Sequence, residues 1–464
     1  MSQYRPLSAV VLAAGEGTRM RSEMPKVLHP LCGRPMVLHV VDALAELPLE
    51  RIVVVVGHGA DQVTQTLKDQ LVTEVPVETI EQRVQRGTGD AVSVSLTVFD
   101  DLDAEDDILV LPGDAPLVRA ETIARLATEH RVQDAAAAVL TAVGPEPSGL
   151  GRVVRDKEGQ VARVVEDADA TDEEREIDEI NTSIYCFRRG LLAPALRRLS
   201  PENAQGEYYL TDAIGVLRDA GHKVIALQAD DPGEAIMVND RVQLAEAEIE
   251  LRARINRVWM RAGVTMVDPA RTYVDATVEL EPDVRLLPGT ILEGRTVIGG
   301  GSVIGPDARL TDVVVGERAR VLNTVARESE IGDRCEIGPY AYLRPGTRLA
   351  AGVKVGTYVE VKNSEIGEGT KVPHLSYIGD ADIGAGANLG ASTITANYDG
   401  ANKYRTTIGD GVHTGVHTSL VAPVELGDGA DTGAGSVVTH DVGEGRHVRG
   451  VPARDTRPAR EDEE

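Results

Sequence analysis

Short apolar runs dominate the chain up to about residue 240. Val10 to Leu12, Ile52 to Val56, Ile108 to Leu111 and Ala135 to Leu140 are continuous rather than alternating, as in strands covered on both faces. Helix-like segments separate these runs, so the pattern predicts an α/β layer domain built on a mostly parallel sheet. From Gln243 to Ala262 there is no Gly or Pro, and Leu244, Ala247, Leu251, Ile255 and Val258 recur near the helical period. That spacing predicts one long connecting helix that stops near Gly263.

Beyond Asp268 the period changes to six. Ile331, Ile337, Leu343, Leu349, Val355 and Val361 are evenly spaced, and the series resumes at Ile366, Val372 and Ile378, then Ile383 and Leu389. One aliphatic per six residues predicts a parallel β-helix, with three units to a triangular coil and the aliphatics stacked in a narrow prism. Asn397 to Arg405 breaks the period and reads as a loop thrown out from a coil.

Composition sharpens this picture. The chain has 464 residues, 47 Gly and few aromatics (1 Trp, 11 Tyr and 2 Phe), as expected if a narrow aliphatic prism excludes rings. A net charge of −26 argues against a protein that coats nucleic acid or anionic membrane, and leaves small anionic substrates open. Cys32, Cys186 and Cys335 are too few and too dispersed for a disulfide framework or a Cys-rich zinc site. Leu7 to Ala14 resembles a signal-peptide core, but GEGTRMRSEMPK follows at once and reads as a glycine loop leaving a strand. No apolar run approaches the roughly 20 residues of a membrane span, and the expected location is the cytoplasm.

The segment Leu12 to Met20 is neither a dinucleotide fingerprint nor a P-loop, because Met20 stands at the third glycine position and no GK[ST] follows. What remains is a turn of bare N–H groups with Arg19 and Lys26 as cations, suited to phosphate oxygens. Asp114, just past the run ending LVLPGD, lies where open α/β sheets place their ligands and suits Mg²⁺.

These residues resemble a sugar-1-phosphate nucleotidylyltransferase: LAAGxGTRM with Pro25-Lys26, GTG at Gly87 to Gly89, and GDxPL at Gly113 to Leu117. Gly151-Arg152, Glu166, Glu179 to Thr182, Asn203 to Asp212 and Val238-Asn239 narrow the match. Joined to the hexapeptide half, the chain resembles the bacterial bifunctional UDP-N-acetylglucosamine pyrophosphorylase/glucosamine-1-phosphate N-acetyltransferases. That resemblance implies a Rossmann-like α/β domain over 1–241, a linker helix over 242–263 and a left-handed parallel β-helix of hexapeptide repeats over 264–453. The tail 454–464 has no periodicity and reads as disordered.

The resemblance also implies roles. Leu12, Ala13, Ala14, Gly15 and Gly17 with Gln82, Gln85, Gly87 and Thr88 would hold uridine, and Arg19 and Lys26 would contact the triphosphate. Asp114 and Asn239 would hold Mg²⁺, one or two ions, and Gly151, Glu166 and Asn181 the N-acetylglucosamine moiety. Attack by a sugar-1-phosphate on the α-phosphate of UTP brings two anions together, so cations rather than a side-chain nucleophile are required. Asp90 and Met237 depart from the family pattern, which has His and Gly there.

Polar residues unnecessary to the prism cluster in the repeat half. His374, with an ordinary pKa of about 6.5, suits a general base, and Glu360 two units earlier is expected to orient its imidazole. By resemblance, His374 would deprotonate the amine of glucosamine-1-phosphate for attack on acetyl-CoA. Arg344, Lys362 and Lys403 would neutralise the sugar phosphate, and Tyr377 and Asn388 would position the sugar. Acetyl-CoA would meet Ala391, Asn397, Tyr398, Val416 and Ala434, although Val416 and Arg449-Gly450 differ from the usual Ser and Ser-Arg. The resemblance implies a homotrimer acting on small molecules, with neither nucleic acid nor membrane as partner. Two other readings stand beside it: a nucleotidylyltransferase whose β-helix only assembles or regulates, and a trimeric scaffold that binds sugar nucleotides without catalysis.

Overall fold

The computed structural model describes residues 5–99, 106–143 and 149–456. These form two compact units, Met1–Leu251 and Arg252–Glu464. In the first, seven strands make the main sheet in the order Val224–Gln228, Ala137–Val143, Glu179–Arg188, Asp107–Pro112, Leu7–Ala13, Ile52–Val56 and Val77–Glu81. Every neighbouring pair is parallel except those of Glu179–Arg188, which runs against both its neighbours. The parallel sheet read from apolar runs is present, and the signal-like Leu7 to Ala14 is its buried central strand. The antiparallel strand carries polar Asn181, Thr182 and Ser183, so its apolar pattern is broken and gives no clear strand signal.

Both faces of the sheet are covered. Leu38, Val41, Val54, Leu109 and Leu126 belong to the core on one side, and Val53, Val55, Val110, Leu192 and Ile214 to the core on the other. This is why the strands need no polar alternation.

The long helix spans Arg241–Arg261, and the division between units falls inside it. Leu244, Ala247 and Leu251 pack with Leu31, Met36, Leu117 and Val238 in the first unit, whereas Ile255 and Trp259 pack on the core of the second. Gly263 at φ +100° ends the helix, with its N–H on Met260 O and that of Val264 on Trp259 O. This left-handed glycine stop caps the final carbonyls.

The second unit is a parallel β-helix. Leu286 pairs with Ile304, eighteen residues on, and Ile304 with Val321, seventeen on, so each coil is three repeat units. One step is longer: Asn388 pairs with His413, twenty-five residues on. The extra chain is the expected loop, closed on itself by a bridge between Tyr398 and Lys403. The prism is aliphatic as expected, with threonines at Thr395, Thr414 and Thr432 in the late coils. Their buried hydroxyls are satisfied, Thr414 and Thr432 each accepting a backbone N–H and pairing with Thr393 and Thr418.

Residues 454 and 455, read from sequence as tail, lie in the strand Ala453–Asp455, which pairs antiparallel with His447–Gly450 and covers the last coil edge; the rest of the expected tail, residues 457–464, lies outside the described residues. Among the described residues no helix is long and apolar enough to cross a membrane.

Candidate functional site

In the first unit the glycine turn leaves the C-terminal end of Leu7–Ala13, at the edge of a cavity of about 540 Å³. The turn needs its glycines. Gly17 has φ +65°, and a Cβ there would stand 2.6 Å from Lys26 Cβ; Gly87 has φ +105°, and a Cβ there would stand 2.6 Å from Tyr208 O. Side chains at either place would push the walls apart.

The cations and oxygen donors come from segments far apart in sequence and meet at one end of this cavity. Lys26 Nζ donates to Asp114 Oδ2 and, at 3.1 Å, to Asn239 Oδ1, while Arg19 Nη2 donates to the same Asn239 oxygen at 3.0 Å. Val238 N–H on Asp114 O at 2.9 Å ties the two donor segments together. Asp114 and Asn239 present hard oxygen donors, the type Mg²⁺ takes, and a positive charge, the Lys26 ammonium, already sits where both converge. Among the described residues no group of three or more His, Cys, Asp or Glu forms a protein cage. A carboxylate and an amide completed by water and phosphate oxygens is the usual Mg²⁺ arrangement at a nucleotide, so the residues fit the ion.

The remaining positions expected here also line the cavity or support its wall. Leu12, Ala13, Ala14, Gly15, Gln82, Gln85, Gly87, Thr88 and Glu166 line it. Gln85 Nε2 donates to Ala14 O at 2.8 Å, and Thr88 Oγ1 accepts Leu210 N–H at 3.0 Å. Gln82 is held by Asp90 at 2.8 Å, whose other oxygen meets Arg86 at 3.1 Å, so the Asp at this departure from the family pattern fixes a cavity residue. Met237, the other departure, is among the residues lining the cavity and also packs against the core of the sheet. Asn181 is buried, its backbone N–H donating to Gly151 O and its side-chain amide donating to Tyr185 OH at 2.8 Å. Glu166 accepts from Thr211 at 3.0 Å; burial, with Asp212, Asp169 and Glu207 nearby, pushes its carboxyl above the usual range. Thr211, within the quoted Asn203 to Asp212 stretch, is a cavity residue, and so is Tyr185, which carries no sequence signal because it reads as an ordinary strand residue.

In the second unit, coil register decides which residues meet. His374, Ala391, Val416 and Ala434 occupy one corner on four successive coils: Ser392 N–H binds His374 O, His417 N–H binds Ala391 O, and Gly435 N–H binds Val416 O. The expected base and three expected acetyl-CoA contacts therefore form one column. Tyr377 stacks in register on Glu360, and Asn388 on Lys371.

Glu360, expected to orient His374, accepts from Arg344 at 2.8 Å; His374 ends a strand on one face and Glu360 begins one on the next. The His374 imidazole is exposed and has no hydrogen-bond partner among the described residues. Lys362 stands 3.8 Å from Asp380, a buried carboxylate that also receives the amides of Asn363 and Asn397. Tyr398 and Lys403 lie on the exposed loop. Asp380 was not singled out from sequence; the seventeen-residue spacing of Asn363, Asp380 and Asn397, one coil each, was the available signal.

Residues 9–217 match the MobA-like NTP transferase domain family. Proteins named bifunctional protein GlmU are similar over nearly the whole chain. That of Brevibacillus brevis is 49% identical over 94% of this chain and 93% of its own, that of Streptomyces avermitilis 49% over 98% and 95%, and that of Thermobifida fusca 52% over 95% and 91%. With identity near one half over alignments that span both units, the chain belongs to the bifunctional GlmU family, the uridylyltransferase and N-acetyltransferase enzymes to which its motifs pointed.

Proposed function

We propose that the two reactions are divided between the units as follows. In the second unit His374 takes a proton from the amine of glucosamine-1-phosphate, freeing its lone pair for the acetyl-CoA thioester and releasing the CoA thiol. Arg344, Lys362 and Lys403 hold the sugar phosphate, Tyr377 and Asn388 hold the sugar, and the thioester lies along Ala391, Val416 and Ala434 with Asn397 and Tyr398 beside it. Glu360 acts on Arg344, setting its guanidinium for the phosphate.

In the first unit, Leu12 to Gly17, Gln82, Gln85, Gly87 and Thr88 bind the uridine end of UTP. Arg19 and Lys26 neutralise the triphosphate, and Gly151, Glu166 and Asn181 hold the N-acetylglucosamine-1-phosphate that displaces diphosphate. Mg²⁺ bound by Asp114 and Asn239 supplies charge neutralisation for two anions brought together. Lys26 leaves Asp114 for the phosphates when substrate and ion arrive.

The reading rests above all on the meeting of Arg19, Lys26, Asp114 and Asn239 at one end of a glycine-edged cavity. In the repeat unit its counterpart is the single column holding His374. A cytoplasmic location and a homotrimer belong to the same proposal; three buried cysteines, none of them in a disulfide among the described residues, are compatible with a reducing compartment. The test is both half-reactions on wild type, His374→Ala and Asp114→Ala. Each substitution is expected to abolish one activity and spare the other. Thiol release near wild type in His374→Ala, or diphosphate release near wild type in Asp114→Ala, would overturn that site.

A further inference from the structure

We infer that Asp380 is a positioning residue for acetyl transfer, the anchor that fixes Lys362 and closes the loop carrying Asn397, Tyr398 and Lys403. The inference deepens the acetyl-transfer reading and rests on it. Three coils place Asn363, Asp380 and Asn397 above one another, and the carboxylate is sandwiched between two side-chain amides, Asn363 Nδ2 at 2.6 Å on one oxygen and Asn397 Nδ2 on the other. Asp380 is 6% exposed, so these donors meet it with little competition from water.

Both ends of the inserted loop are tied to this one residue. Asn397, where the loop leaves, binds the carboxylate, and Thr406, where it returns, donates its N–H to Asp380 O at 3.1 Å. The Asp380 N–H in turn binds Lys362 O at 3.0 Å, and Lys362 Nζ lies 3.8 Å from the carboxylate. Burial alone would push the carboxyl up, but the two amides and the charges of Lys362 and Lys403 hold it below the usual range, so it is ionised at neutral pH. One buried charge thus reaches residues assigned to both substrates, Lys362 and Lys403 for the phosphate and Asn397 for acetyl-CoA. A β-helix of this kind needs no charge inside a corner, and an unpaired one there would be costly; the loop and the lysine supply its partners.

Asp380→Asn is the informative change. Asp380 sits at φ +51°, a region Asn tolerates, and the shape is kept. One oxygen becomes an NH₂ that faces an Asn amide donor to donor, and the charge on Lys362 loses its partner. Acetyl transfer would be assayed with each substrate varied, alongside uridylyl transfer by the same preparation and tryptic cleavage after Lys403 and Arg405. Losing charge-assisted bonds predicts KM for glucosamine-1-phosphate and for acetyl-CoA each raised roughly tenfold or more, faster cleavage in the loop, and unchanged uridylyl transfer. Asn363→Ala removes one amide but leaves the carboxylate on Asn397 and Lys362, and is expected to keep both KM values within about threefold. The inference is overturned if wild type transfers acetyl but both KM values stay put in Asp380→Asn, if only kcat falls, or if Asn363→Ala reproduces the effect. No thiol release by wild type would instead sink the acetyl-transfer reading itself.

Discussion

The Lys26 ammonium occupies the two oxygens assigned to Mg²⁺, Asp114 Oδ2 and Asn239 Oδ1. An ion arriving alone must displace that ammonium before it gains the same oxygens. The side chains of Lys26 and Asp114 are only 14% and 12% exposed, so the small worth of an open surface pair does not apply. A charge-assisted hydrogen bond in such a setting contributes about 1.5–3 kcal/mol. Lys26→Met keeps the stem and removes the charge, so that cost disappears. At about 1.4 kcal/mol per tenfold, Mg²⁺ binding without nucleotide should tighten by roughly 10- to 150-fold. Titration calorimetry of wild type and variant with Mg²⁺ alone reads this directly. The same variant should bind UTP more weakly, because the triphosphate loses one of its two cations. If Mg²⁺ bound the variant no more tightly than wild type, Lys26 would not be a stand-in for the ion and the reasoning would be wrong.

Glu360→Gln should raise KM for glucosamine-1-phosphate, since Glu360 holds Arg344, and leave the apparent pKa of the base in the acetyl-transfer pH profile unmoved; a shifted profile would mean that Glu360 acts on His374 after all. Leu343→Ala, fully buried in the prism, should cost about 3–5 kcal/mol in denaturant unfolding, whereas Val314→Ala, half-exposed on the same β-helix, should stay within about 0.5 kcal/mol. His130 is buried without a hydrogen-bond partner on either nitrogen, and burial, then Arg5, Arg188 and Arg131, lowers its pKa from 6.5 to about 3. The unfolded chain takes up that proton first, so this contribution is full above about pH 6.5 and is lost as pH falls towards 3, at about 1.4 kcal/mol per unit. Between pH 6 and 4.5, His130→Gln should lower the pH slope of stability by about that amount, while an unchanged slope would show that His130 is not held neutral.

Periodicity carried the architecture because it reports burial directly. Continuous runs such as Ile52–Val56 have both faces covered, and the six-residue spacing places one side chain on each of the three sides of a coil. The antiparallel Glu179–Arg188 was illegible for the same reason: its polar Asn181 and Thr182 are buried, the first bonded to Tyr185 of the same strand and the second to Leu140 O of the next. The glycine turn around Gly17 is likewise readable as a phosphate turn, since bare backbone is a local property. Which charges meet is not local. Lys26 with Asp114 and Asn239 spans most of the first unit, and whether Glu360 reaches His374 or Arg344 depends on which face of the coil each occupies, a matter of register that residue types do not state. The sequence by itself determined the elements, the repeat and the kinds of group available. Only the tertiary structure decided the pairing, because a carboxylate's partner is set by the cross-coil distance and the water excluded around it, and it was that geometry that moved Glu360 to Arg344 and brought Asp380 under the loop.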